Sequence, residues 1–344
     1  MTDEQWRDLL RVLDGELLEP LPVGFIIDSP WLASWHGVSI VDYVSDDATW
    51  LEANLRAVRR FPDVLLLPGF WAEFGMCTEP SAFGSKCVWP EHDFPFAGKV
   101  LFDYGEVERL RKPNPRTDGL LPFVLKLLQR NQARIEAEGH RIRFATSRGP
   151  MNVACYLLGH TEVMIGVRTN PDEIHRMLQI VTEFIIDWVQ LQAAAFPSID
   201  GVLLLDDLIG FLGDDDFRQF ASPYFKQIFD SLDVSVKALH NDCHGLINAP
   251  YLAEMGCNLF NFSFEHGLDE IRRLAGDSVT LLGNIPPRDV MAQGTPEDVK
   301  RSVTVALESV EDRRRIILSL GGGTPPGVPT ENFDAFCEAA AGRA

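Results

Sequence analysis

The segment His240-Asn241-Asp242-Cys243-His244 is the densest cluster of metal-competent side chains in the chain. Imidazole, thiolate and carboxylate are the donors that a borderline cation such as Zn²⁺ accepts. The segment closes the apolar run VSVKALHND (234–242). Strand alternation would put His240 and Asp242 on one face, with Cys243 and His244 entering the loop. The alternative reading is a histidine that hydrogen-bonds its neighbours, beside a buried cysteine thiol.

Other chemistry-bearing residues also follow apolar runs. Asp206 and Asp207 end GVLLLDD (201–207) and point to opposite sides of their strand. One could face a site while the other caps the next helix. Adjacent desolvated carboxylates raise each other's pKa, so these two, with Glu79, are the candidates for moving protons or orienting substrate. Asp28 ends FIID, and Arg148 follows RIRFATS. They are candidates for binding substrate, or for pairing with each other across the strand ends, since a charged arginine needs a partner. Asn261, Glu265 and Asn284 lie at the ends of later runs or in the loops after them. Gly321-Gly322-Gly323 follows the last run and permits close approach of a ligand or an unusual turn. It matches neither GxGxxG nor a P-loop, and GxSxG, HExxH and CxxC are absent. Most other histidines read as surface or capping residues; His92 is the one of interest.

These residues need a frame that brings strand ends together. Eight short apolar runs can be read: 25–28, 63–69, 141–147, 201–207, 234–242, 257–262, 278–284 and 315–322. Between them lie helical stretches at 47–60, 119–138, 171–196 and near 215–232, 246–255, 267–275, 295–310 and 331–342. Thr295-Pro296 and Asn170-Pro171 carry an N-cap residue followed by proline. Strand–helix alternation with continuous apolar strands predicts a parallel sheet covered by helices. Eight runs predict an α/β (β/α)8 TIM barrel, whose site gathers at the C-terminal strand ends. A doubly wound sheet with fewer strands is the alternative. The barrel is expected to be one domain over 1–344, with an N-terminal helical extension and a lid-like insertion at about 70–140, after the second strand. Trp71, Phe74, Phe83, Trp89, Phe94 and Phe96 in that insertion would cover a flat apolar ligand, or pack the lid onto the barrel.

The net charge of −19 would repel a phosphate backbone, which argues against nucleic acid as a partner. No uncharged apolar stretch is long enough to cross a membrane. The start MTDEQWRDLLRVLDGE lacks a basic n-region and an apolar h-region, so the expected compartment is the cytoplasm. Six scattered cysteines then read mostly as reduced thiols.

From about 201 to 337 the chain resembles the uroporphyrinogen decarboxylase superfamily, which includes corrinoid-dependent methyltransferases. The segments that carry the resemblance are DDLIGFLGDDDFRQFASPYFKQI, ALHNDCHG, GNIPP…GTPEDV and PTENF. WLEANLRAVRRFPD and GMCTEPSAFG in the N-terminal half are similar to the methyltransferase branch. The resemblance implies a (β/α)8 barrel. True decarboxylases carry an Arg-rich N-terminal segment for substrate propionates; FIIDSPWLASW has no Arg there. A histidine those enzymes carry in the glycine turn is also missing. His240 matches the His of the methyltransferase His-x-Cys zinc motif. Asp242 stands at the Cys position, Cys243 follows it, and the branch's later Cys falls at Gly322.

The resemblance thus implies a methyltransferase-like enzyme that moves a methyl group between a small substrate or thiol and a corrinoid carrier. Zinc would be held by His240, Asp242 or Cys243, and Glu265. Asp206 or Asp207, with Glu79, would orient substrate, and Arg148, Asn261 and Asn284 would contact it. Oxygen in place of sulfur makes a harder Lewis acid, which suits an oxygen or amine substrate. The corrinoid would arrive on a partner protein, and a homodimer is carried as an expectation. Two other readings are a metal-independent decarboxylase or lyase using Asp28, Asp206 and Arg148, and a non-catalytic binding barrel.

Overall fold

In the computed structural model, which describes residues 1–91, 93–243 and 246–342, each of the eight apolar runs holds a strand. They are β1 (Gly24–Ile26), β2 (Leu65–Leu67), β5 (Phe144–Arg148), β6 (Gly201–Leu205), β7 (Val236–Asn241), β8 (Leu259–Phe262), β9 (Thr280–Ile285) and β10 (Ile316–Leu320). A small antiparallel pair, β3 (Cys87–Val88) and β4 (Phe96–Ala97), lies between β2 and β5. Strands β5 to β10 form one six-stranded parallel sheet in chain order. β1 pairs with β2 in parallel, and bridges at Val23–Leu318 and Ile26–Gly323 bring β1 beside β10. Among the described residues no ladder joins β2 to β5.

Alternation along the strands sorts side chains into two apolar layers. Ile26, Leu65, Leu67, Phe144, Leu203, Ala238, Leu259, Leu282 and Ile317 meet in one buried cluster, to which all eight parallel strands contribute. Their neighbours Phe25, Leu66, Ala145, Leu204, Leu239, Phe260, Leu281 and Leu318 face the surrounding helices. Burial on both faces is why these strands read as unbroken apolar runs.

The N-terminal helix Asp3–Leu13 opens with a Thr2–Gln5 capping box and lays Trp6, Leu9, Val12 and Leu13 on the inner cluster. Its polar contacts go to segments that precede strands. The Gln5 amide donates to the Pro62 and Val64 carbonyls, and the Trp6 indole donates to Asp200. The helix therefore covers the end of the sheet opposite His240, which leaves the C-terminal strand ends for chemistry.

Several elements differ from expectation. The third parallel strand begins at Phe144 rather than 141, because Arg141 and Arg143 leave the sheet to pair with Asp3. The stretch near 215–232 is two helices, Asp214–Phe220 and Ser222–Asp230, since Pro223 cannot continue the first. Thr295 caps its helix as expected, whereas the Asn170 side chain accepts from Thr169 and does not cap. Helices Pro150–Leu158 and His160–Thr169 were not expected from apolar periodicity; Gly159, at φ +117°, separates them. The stretch at about 70–140 holds a short helix (Thr78–Ala82), the β3–β4 hairpin and, as expected for 119–138, the long helix Leu121–Ala137. Of the described helices, none is long and apolar enough to cross a membrane.

His140 packs its ring against Phe70 and is buried. Burial pushes its pKa down to about 4. An unfolded histidine takes its proton near pH 6.5, so lowering the pH from 7 to 5 favours the unfolded chain. The expected loss is up to about 2 kcal/mol, and His140→Leu should remove that part of the acid sensitivity. Denaturation midpoints of both proteins at pH 7 and 5 would check this; equal shifts would refute it.

Candidate functional site

The ends of β6 and β7 bring three potential ligands together. Leu205 of β6 is in register with His240 of β7, so Asp207, two residues beyond Leu205, sits beside the histidine. The Asp207 Oδ1 lies 3.7 Å from His240 Nε2, and the Asp242 Oδ2 lies 4.0 Å from the same nitrogen. Asp207, His240 and Asp242 each offer a donor atom within 4.8 Å of the others. Donors bound at about 2.0–2.2 Å from one ion sit some 3–4 Å apart, so the spacing fits a metal. The Asp242 backbone N–H donates to Asp207 Oδ1 at 3.2 Å. Burial pushes the Asp207 carboxyl above the usual range, His240 opposes that shift, and the Asp242 charge adds to it.

Asn261 determines how His240 presents its ring. It faces His240 in the register of β7 against β8. Its amide nitrogen donates to the Leu282 and Leu320 carbonyls at 2.7 and 2.9 Å. This leaves Asn261 Oδ1 turned toward His240 Nδ1, 2.7 Å away. An oxygen without a hydrogen there must accept, so Nδ1 carries the proton. The lone pair is then on Nε2, facing the two carboxylates, as metal ligation by histidine requires. Asn261 was expected to touch substrate; its three hydrogen bonds make it a positioning residue.

The glycine turn shapes the same space. A Cβ on Gly322 would lie 3.0 Å from Asp242 Oδ2, and one on Gly323 would lie 3.6 Å from Asp28 Oδ2. Gly322 also has φ +140°, where a side chain is strained. A side chain at Gly322 would crowd Asp242. Cys243 and Glu265 do not belong to the trio. The chain turns after β7 with the Cys243 N–H on Asn241 Oδ1, and Glu265 is an exposed residue of the loop after β8. His92 and His244 lie outside the described residues.

A second polar group lies under the loop after β2. Arg148, at the end of β5, is 4% exposed and donates to Glu73 Oε2 at 3.0 Å. A second guanidinium nitrogen is 3.8 Å from Glu79 Oε2, and the Arg148 backbone N–H donates to Glu79 Oε1. The Ser29 hydroxyl and backbone N–H both donate to Glu73 Oε1. The ion pair weighed between Asp28 and Arg148 does not form; these two glutamates hold the guanidinium. Burial raises the Glu79 carboxyl, against the pull of Arg148. Burial also opposes the charge on Arg148, but Glu73 and Glu79 outweigh it and the guanidinium stays protonated. Met76 Sδ accepts from Arg148 Nε at 3.1 Å and from the Tyr156 hydroxyl at 2.9 Å. Tyr156 is half-buried within the fields of both Arg148 and Asp207. Neither Met76 nor Tyr156 was among the expected residues, because neither ends a strand.

The remaining expected residues have structural partners. Asp206 is fully buried and accepts from the Met151 and Asn152 backbone N–H groups at 2.9 and 3.1 Å. It caps the helix Pro150–Leu158 of the preceding unit, and Gly149 makes room for it. Of the adjacent aspartates, Asp207 faces the trio. Asp28 accepts from the Trp31 N–H and caps Ser29–His36, and burial, with the nearby Glu73 charge, pushes its carboxyl well above the usual range. The Asn284 amide donates to the His266 carbonyl.

Known proteins bear on this geometry. The family model described as uroporphyrinogen decarboxylase (URO-D) matches residues 5–342. A uroporphyrinogen decarboxylase of Xylella fastidiosa is 25% identical, covering 96% of this chain and 96% of its own. One from Coxiella burnetii is 26% identical over 84% of this chain and 80% of its own. Among solved structures, a methyltransferase from Methanosarcina mazei superposes with a TM-score of 0.81 at 20% identity, covering 96% of both chains. A B12-independent methionine synthase from Shewanella sp. W3-18-1 superposes at 0.55 with 13% identity, covering 95% of this chain and 97% of its own.

Proposed function

Because the chain belongs to the uroporphyrinogen decarboxylase family, we propose that it is a methyl-transferring member which holds a divalent metal, zinc foremost, on Asp207, His240 and Asp242. The observation that carries this reading is the His240 ring, whose protonated Nδ1 is tied to Asn261 and whose Nε2 faces two carboxylates. Bound there, the metal would act as a Lewis acid toward a small thiol, hydroxyl or amine substrate. Asp207 and Asp242 would hold the metal as carboxylates and offset its charge, and the proton the substrate releases would leave through solvent. The methyl donor or acceptor would be a corrinoid on a separate protein. We read the eight strands as a closed (β/α)8 barrel of one domain, with the hairpin and adjoining loops after β2 as a lid beside the mouth.

The charge around the site argues against a polyanionic substrate such as uroporphyrinogen. Asp207 and Asp242 lie at the strand ends, and the guanidinium of Arg148 is already engaged by two glutamates. A polycarboxylate entering there would meet like charge from these two aspartates. The decarboxylase names of the sequence relatives favour a second reading, a metal-independent lyase acting on a smaller carboxylate.

Metal content separates the two. Protein purified without chelator should hold about one zinc per chain, and His240→Ala should hold almost none while keeping its circular dichroism. Wild-type protein without bound metal, and unable to take up added zinc, would sink the methyltransferase reading. Methyl transfer from methylcobalamin to a panel of thiols, alcohols and amines then tells an enzyme from a binding protein.

A further inference from the structure

Two thiols that the proposed chemistry does not use meet in the segment after β2. Cys77 is fully buried at the start of the helix Thr78–Ala82. Its sulfur lies near enough to the Cys87 thiol for the two groups to interact. Cys87 is half-buried on β3, held by the pairing of Cys87 with Ala97. The two loops are tied together nearby: the Met76 N–H donates to the Pro95 carbonyl at 2.9 Å, and Phe74 packs edge-on against Trp89. Glu73 and Glu79, which hold Arg148, flank Cys77 in the sequence. A covalent link here would tie the loop bearing both glutamates to the hairpin.

We infer that Cys77 and Cys87 are a redox-active dithiol that closes to a reversible disulfide. The accessible Cys87 is the attacking thiol and the enclosed Cys77 the resolving one. As a thiolate, Cys87 attacks one sulfur of a low-molecular-weight disulfide, forming a mixed disulfide and releasing one thiolate. Cys77, deprotonated in turn, attacks the Cys87 sulfur and displaces the second thiolate. Both protein protons pass through water to the two released thiolates. The net change is two protein thiols oxidised and one small disulfide reduced to two thiols. Burial and the neighbouring Cys87 push the Cys77 thiol well up and Arg148 offsets this only in part, so the second step is the slow one.

Glutathione disulfide is the probe, applied to the full chain across a range of glutathione ratios. Lys86 lies between the two cysteines, so tryptic peptides mapped without reduction report the bond as a cross-linked pair. The expected result is a Cys77–Cys87 link, loss of two of the six thiols in denaturant, and full return with dithiothreitol. Cys77→Ser should stop at a stable glutathione adduct on Cys87, and Cys87→Ser should keep its remaining thiols. The inference is overturned if wild-type protein stops at that adduct, links either cysteine elsewhere, or keeps both thiols in excess glutathione disulfide.

Discussion

Asn261→Leu is expected to weaken zinc binding by about 10- to 100-fold, though no metal donor atom is removed. The leucine cannot accept from His240 Nδ1, so the proton can move to Nε2 and the ring can rotate. Either change withdraws the lone pair that faces Asp207 and Asp242. The substitution also strands the Leu282 and Leu320 carbonyls, which costs stability on its own account. Asn261→Asp separates the effects. It keeps an acceptor at Nδ1 but loses both amide donors, so it should lose stability while retaining most of the zinc affinity. Competition titration against a chromophoric chelator, beside thermal unfolding, reads both quantities. If affinity and stability fall in proportion in the two variants, Asn261 is structural and the tautomer argument fails.

Arg148→Met should destabilise the protein by about 3–5 kcal/mol, the largest effect expected of a substitution outside the proposed metal trio. It removes the positive charge between Glu73 and Glu79 and leaves two buried carboxylates facing each other. Glu73 keeps its two bonds from Ser29, and Glu79 keeps the backbone N–H of residue 148, so the damage is electrostatic rather than a general loss of packing. Two consequences follow from the sign of the charge. The deficit should shrink as pH falls toward 5, because Glu79, whose carboxyl burial raises, then takes up a proton. Adding Glu73→Gln should also recover part of the loss. Urea unfolding of the single and double variants at two pH values checks this. A variant that unfolds at the wild-type urea concentration would mean that the array contributes little to the fold, and would return Arg148 to the role of substrate ligand.

Much of the frame was legible along the chain. Strands buried on both faces read as apolar runs, and all eight runs hold strands. The helix at 47–60 matches its predicted range, because the Asp46 cap and the apolar periodicity agree. His240 was legible as a candidate because it ends such a run. So was the choice between Asp206 and Asp207, since neighbours on a strand point to opposite faces. Which of the two faced the site was not legible. That depends on Met151 and Asn152, more than fifty residues away, whose N–H groups claim Asp206.

The same limit separates the other residues. A carboxylate or amide has the same character in the sequence whether it meets substrate or a backbone group, and only its partner distinguishes them. Arg148 and Asp28 seemed complementary as strand-end charges, but the loop after β2 brings Glu73 and Glu79 to the arginine first. Cys243 was a chemically better zinc ligand than Asp242, but the chain turns after β7 and places Asp242 beside His240. By itself the sequence determined the strands, most of the helices and the place of His240 at a strand end, because these depend on local pattern. Tertiary structure decided the trio around that histidine and the tautomer it holds. Both are set by neighbouring strands, and the register between strands is fixed by the packing of the whole sheet.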